Sequence, residues 1–390
     1  MPLIMTVVLD LFPPESRGRA MGTVAIAIFF APAVGPPLSG WIVENTSWRW
    51  LFWVVIPIAV IDIILAIVLL KNVTDRARAR FDAWGFVASV IGFGSLLYGF
   101  SEAGNKGWSN FTVETAIGIG IVFIVLFVIP ELRTDQPMLN LRVFRFGVFS
   151  LTTLIGCIVN VVIYGAMILM PIYLQNLRGY TPLEAGLLML PGALLMGVMS
   201  PISGALFDRI GARPLAVLGL LVTVVTTWQF TKLTAVTSYD HILLLYAARM
   251  FGMSLIAMTV QTAGLNQLPR HLYAHRTAAS NTARMVSSSL GTTYMVTVMT
   301  TRTQVHVAEY VNRMTIGNPW MHDAVRRLGG DLAAHLGLPS QSGTTLAVRL
   351  LYGLVQKQSI VEGINDAFWI ATALAGVALI LSLFIRRMGV

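Results

Sequence analysis

Charge is what this chain has least of. Only 12% of its residues are charged, 27 basic against 18 acidic, where a soluble domain carries about 25%. With 56% hydrophobic residues beside it, that scarcity excludes an ordinary soluble globular protein. Cysteine is nearly absent as well. Cys157 stands alone, so no intramolecular disulfide can form. Enzyme signatures are missing: no G-x-x-x-x-G-K-[ST] loop occurs, which excludes ATP hydrolysis through a Walker fold. His271 and His275 have the i, i+4 spacing of a metal pair but lack H-E-x-x-H and lie in a basic loop, so no metal site is read there. No basic stretch opens the first twelve residues, and no cleavable signal peptide is expected.

What is present is a set of long uncharged runs, each near the ~20 residues that a helix needs to cross a bilayer. They predict an all-α polytopic membrane protein with helices near 19–43, 50–70, 83–102, 114–131, 148–175, 184–207, 213–232, 242–267, 284–302 and 366–386. Residues 1–11 are apolar but about half a span long and read as a half-helix stub. The net charge of +9 is a matter of sidedness, with no nucleic acid as partner. Arg17 and Arg19, the basic cluster 71–80, Arg133, Arg142 and Arg145, Arg209 and Arg213, Arg270 and Arg276, and Arg386 and Arg387 all fall on one side. The short loops of the other side hold only Arg49, Lys106, Arg178 and Lys232. The richer side is cytoplasmic by the positive-inside rule, and so is the C-terminus. The segment from about 303 to 365 then reads as a long extracytoplasmic loop, with short amphipathic helices such as DAVRRLGGDLAAHLG lying on the membrane or on a partner.

Two charges fall inside expected spans, where ionisable groups are costly and functional by default. Asp62 lies deep in 50–70 and reads either as a proton-coupling carboxylate or as a structural partner. Arg249, in YAARMFG, reads as structural, as a proton relay, or as a snorkelling side chain. Asn160, Tyr164 and Gln261 are candidate contacts for a substrate within an apolar, Met-rich cavity.

Several stretches then carry a resemblance. APAVGPPLSG (31–40) follows the order A-P-x-x-G-P-x-x-S-G, and FPPESRGRAMG and SWRWLFWVVIPIA flank it. SGALFDRIGARP follows G-x-L-x-D-R-x-G-R, with GYTPLEAGLLMLPGALLM and ASNTARMVSSSLG further along. Together they resemble the EmrB/QacA-type, fourteen-helix branch of the major facilitator superfamily. The resemblance implies a major facilitator fold and proton-coupled efflux of hydrophobic or cationic drugs, driven by the proton gradient without a cofactor. It implies that Pro32, Gly35, Pro36 and Gly40 form a bent antiporter-motif helix packing the two bundles together. It places Arg17, Gly18, Asp208, Arg209, Gly211 and Arg213 in cytoplasmic loops that either gate the transporter or are plain charged hairpins. Asn281 and Arg284 mark the start of the thirteenth helix of that pattern.

By the same resemblance the chain is N-terminally truncated. Residues 1–72 are the remnant of an N-terminal six-helix bundle (the end of its fourth helix and its fifth and sixth). Residues 73–144 hold an inserted helix pair with flanking loops, and 145–390 a complete C-terminal bundle. A periplasmic adaptor is an expected partner by analogy alone. Two other functions stay open at this point: a non-transporting membrane fragment, and an exporter of one specific metabolite.

Overall fold

The computed structural model describes residues 34–69, 82–134, 141–265, 273–313, 319–337 and 339–385. These residues are helical, with no strand among them. The helices in chain order are α1 (34–45), α2 (Arg49–Leu69), α3 (Ala83–Lys106), α4 (Phe111–Arg133), α5 (Gly147–Ile172), α6 (Pro182–Ile210), α7 (Ala212–Phe230), α8 (Tyr239–Leu265), α9 (Tyr273–Arg313), α10 (Pro319–Leu336) and α11 (Ser340–Ser382). Eight of them, α2 to α8 and α11, are long and apolar enough to cross a membrane.

Their ends are written locally. The Asp82 carboxylate accepts from the Gly85 N–H at 2.9 Å and starts α3. Asn110 does the same for α4 through Thr112 at 3.0 Å. Thr181 and Glu184 form a reciprocal capping box, with Pro182 in the first helical turn of α6. Each satisfies donors that a helix start leaves unpaired. Between α6 and α7 a single residue turns the chain: Gly211, at φ +82°, a backbone state that glycine reaches without steric cost. Pro171 lies in the last turn of α5, and the chain continues as a wide π turn over Tyr173–Leu177.

Helices α5 to α9 and α11 pack around one buried cluster that includes Ile155, Val162, Met170, Leu188, Leu220, Met253, Met295 and Phe368. Apolar burial drives little association in lipid, so close approach through small residues takes its place. A Cβ on Gly219 would stand 2.6 Å from the Gly252 carbonyl oxygen, and one on Gly252 2.8 Å from that of Gly219. Thus α7 and α8 meet backbone to backbone. Across α5 and α9, Gly291 instead receives the Val161 side chain and Gly165 the Met295 side chain. Outside this bundle α3 and α4 form a pair, and α3 also lies on α9, where the Thr297 hydroxyl donates to the Phe100 carbonyl at 2.9 Å. Helix α2 is apolar apart from Arg49 at its start and Asp62 within it, and has no buried residue.

The segment expected as a long loop is built differently. Helix α9 runs on to Arg313 and α11 begins at Ser340, with α10 folded between them onto α11. Position 329 on α10 stands 2.8 Å, measured from a Cβ built there, from the Thr344 Cα on α11. Neither α9 nor α11 contains a proline that would break it. Hydropathy marks where a helix leaves the bilayer and is silent on where it stops. The amphipathic stretch 323–337 is a helix as expected, and its partner is the chain's own α11.

Candidate transport site

The first seam joins α1 to α6. A Cβ on Gly40 would collide with the Pro182 carbonyl and come within 2.8 Å of the Leu183 Cα; one on Gly186 would stand 2.7 Å from Pro36 and Pro37 backbone atoms. Two glycines, one on each helix, therefore let the backbones touch. Gly35 differs, with nothing within 4 Å of its Cβ direction. Pro32, the remaining member of that motif, lies outside the described residues, as do Arg17 and Gly18.

Asp62 is exposed on α2, and no ion pair among the described residues includes it. In the loop between α6 and α7, Arg209 and Arg213 are both exposed on either side of Gly211. The side chains of Asp208 and Gln261 lie outside the described set.

Arg249 is fully buried on α8. Its Nη2 donates to the Val162 carbonyl of α5 at 2.6 Å, while Nε and Nη1 find no hydrogen-bond partner among the described residues. That depth excludes snorkelling to a membrane surface. Arg284 is a second charge within the bundle, half-buried on α9. Sequence reasoning put it at a helix start, but α9 begins at Tyr273, so Arg284 stands about three turns inside. Its guanidinium lies flat against α5 at Gly156: a Cβ there would be 2.7 Å from Nε and 3.2 Å from Cζ and Nη2. Nε has no partner. Asn160, one turn along α5, donates Nδ2 to the Gly156 carbonyl at 2.8 Å and keeps its Oδ1 available. Tyr164, a further turn along, is 44% exposed. Gly156, Asn160 and Tyr164 thus line one stripe of α5 at i, i+4 and i+8, with Arg284 over its first member. Asn281 sits half-buried one turn before Arg284.

Two features escaped the sequence reading. Where α3 meets α9, a cleft of about 250 Å³ is lined largely by hydroxyls, among them Ser101, Thr297 and Thr300. Farther along α9 a polar network ties it to α11. His306 lies with Nε2 2.9 Å from Asp366 Oδ2 and Nδ1 3.2 Å from Glu362 Oε2. Arg302 Nε adds 2.6 Å to Asp366, and the Tyr310 hydroxyl donates to Glu362 at 2.5 Å. The i, i+4 spacing of His306 with Tyr310, and of Glu362 with Asp366, was the available signal. No group of three or more His, Cys, Asp or Glu among the described residues is placed to hold a metal.

A multi-pass bundle with small-residue seams, a fully buried Arg249 and a half-buried Arg284 fits the class of membrane transporters. The chain belongs to the major facilitator superfamily, whose family model matches residues 1–292. Members of this family are transporters of small substrates in a lipid bilayer; they are not enzymes. The chain is 48% identical over 385 residues to YhcA, an uncharacterised transporter of this type from Bacillus subtilis, covering 99% of this chain and 72% of that protein. It is 38% identical over 301 residues to the lincomycin resistance protein LmrB of the same organism, covering 77% and 63%. Against the multidrug export protein EmrB of Escherichia coli it is 26% identical over 383 residues, covering 97% and 72%. These relatives belong to the branch that the motifs resemble.

Proposed function

We propose that this protein exports hydrophobic and cationic drugs across the cytoplasmic membrane by alternating access, driven by inward proton flow. The observation that carries the reading is the α1–α6 seam, where a glycine on each helix admits the other's backbone. It offers a surface on which one bundle can rock against the other around a site near the midplane. The names of relatives add lincomycin resistance for LmrB and multidrug export for EmrB. Energy comes from the gradient, with no cofactor. The richer set of basic loops, Arg209 and Arg213 included, faces the cytoplasm, and the C-terminus lies on that side. The α10–α11 hairpin then projects outside, where an adaptor protein could meet it.

The test is efflux of tetramethylrhodamine methyl ester, a hydrophobic cation, from proteoliposomes with an imposed pH gradient and the membrane potential clamped to zero. Gradient-dependent efflux that a protonophore abolishes is the expected result. Efflux indifferent to the gradient removes the antiporter mechanism. Asp62→Asn sharpens the assay. If Asp62 loads the coupling proton, gradient-driven efflux falls by an order of magnitude or more while dye binding persists. Unchanged coupling would assign the proton to another group.

A further inference from the structure

Two charges held within the C-terminal bundle have the same sign, Arg249 fully buried and Arg284 half-buried. Between Gly147 and Thr300 the acidic residues are Glu184, Asp208 and Asp240, each within a turn of a helix end. Neither Arg249 nor Arg284 enters an ion pair among the described residues. Arg249 is closed off by the core on all sides. Arg284 is not: it lies on the α5 stripe that leads through Asn160 to the half-exposed Tyr164. A guanidinium held inside a membrane bundle calls for a counter-charge, and its planar fork suits an oxyanion with two oxygens. Replacing Gly156 by any other residue would push that fork away from α5.

We propose that Arg284 receives the carboxylate of a transported amphiphile, with Asn160 as the neighbouring polar contact and Tyr164 against its apolar body. This deepens the export reading and rests on it for the word "transported". The substrate class becomes amphiphiles that carry a carboxylate, zwitterionic dyes included, as well as simple cations.

Cys157 provides the assay. It is half-buried, follows Gly156 directly, and lies close enough to Arg284 to interact with it electrostatically. As the chain's single cysteine it reports on this spot without mutagenesis. The full chain is reconstituted in phosphatidylcholine vesicles and Cys157 is labelled with N-ethylmaleimide. Tetramethylrhodamine, whose pendant benzoate is ionised, competes alongside its methyl ester. The acid should slow labelling at concentrations at least tenfold lower than the ester. Arg284→Gln should erase that difference, and Arg284→Lys should keep part of it. Equal protection by acid and ester in the wild type overturns the proposal, and so does a difference that survives in Arg284→Gln. The wild-type comparison stands even if Arg284→Gln fails to fold.

A lipid headgroup offers similar chemistry. If phosphatidylglycerol in the vesicles removes the preference for the acid and itself protects Cys157, the site belongs to a headgroup and the assignment to a solute carboxylate is overturned. Efflux of the methyl ester reports separately on export. Protection by the acid without any efflux would leave the anion site standing and sink the transport reading.

Discussion

Gly40 and Gly186 do one job from two helices, and both fail in the same way when a side chain is added. The atoms that meet the new Cβ are backbone atoms of Pro182, Leu183, Pro36 and Pro37, which cannot rotate aside. Gly40→Val and Gly186→Val should each destabilise the folded protein by about 1–3 kcal/mol, the usual penalty of forcing atoms into a packed interface. Thermal unfolding in detergent would register it. Gly35→Ala is the control. Its Cβ meets nothing within 4 Å, so stability should hold or rise by up to ~1 kcal/mol as a helical glycine is replaced. A motif read as one unit therefore separates into members that touch another helix and one that does not. Sequence alone could not divide them, because the dividing information lies on α6. Arg284 teaches the same lesson. Its residue type and its motif were legible, but its depth required the true start of α9, eleven residues earlier.

Among the elements, the membrane spans were the most legible, because scarcity of charge over about twenty residues has one common cause in a chain like this. The caps at Asp82, Asn110 and Thr181 were equally open to reading. The segment between α9 and α11 was not. Leaving the bilayer relaxes the demand for apolar residues without ending the helix, and α9 itself is too rich in Thr and Ser to pass as a span. These two helices meet closely at Gly363, where a Cβ would stand 2.6 Å from the Met299 carbonyl oxygen, and the network around His306 ties them further. An imidazole with a carboxylate oxygen at each nitrogen donates to both only when both nitrogens carry protons. Replacing His306 by Ala leaves Glu362 and Asp366 facing each other, and should expose the α9–α11 pair to limited proteolysis at concentrations of trypsin that spare the wild type.

Tyr310 offers a second readout of the same place. Its hydrogen bond to Glu362 and the nearby carboxylate charge raise its pKa above the ordinary tyrosine value of 10.0. The raised value belongs to the folded state, so the stability it lends is present below the unfolded pKa. It is lost as pH climbs from about 10 through the folded value. Ultraviolet titration should show a tyrosine ionising late, and Tyr310→Phe should remove that late component.

At the scale of the whole molecule, sidedness is the prediction that organises all others. The basic loops between α4 and α5 and between α6 and α7 should face the cytoplasm, and the turn 107–110 the outside. With Cys157 replaced by Ser, Asn110→Cys should react in intact cells with a membrane-impermeant maleimide, and Arg145→Cys should react only after the cells are opened. The reverse pattern would turn the molecule over and, with it, the direction of transport. Arg249 and Arg284 would keep their places relative to the helices, but a substrate bound as proposed would then reach Arg284 from the other face.

The continuous course of α9 and α11 has a mechanical consequence. At 41 and 43 residues and 1.5 Å per residue, each is roughly 60 Å long, about twice the hydrocarbon thickness of a bilayer. A rigid rod pivoting inside the bilayer magnifies at its tip any tilt made at its fulcrum. Helix α9 carries Arg284 toward one end and the clamp to α11 toward the other, so an anion bound at Arg284 as proposed would act on the attitude of the hairpin as on the far end of a single lever.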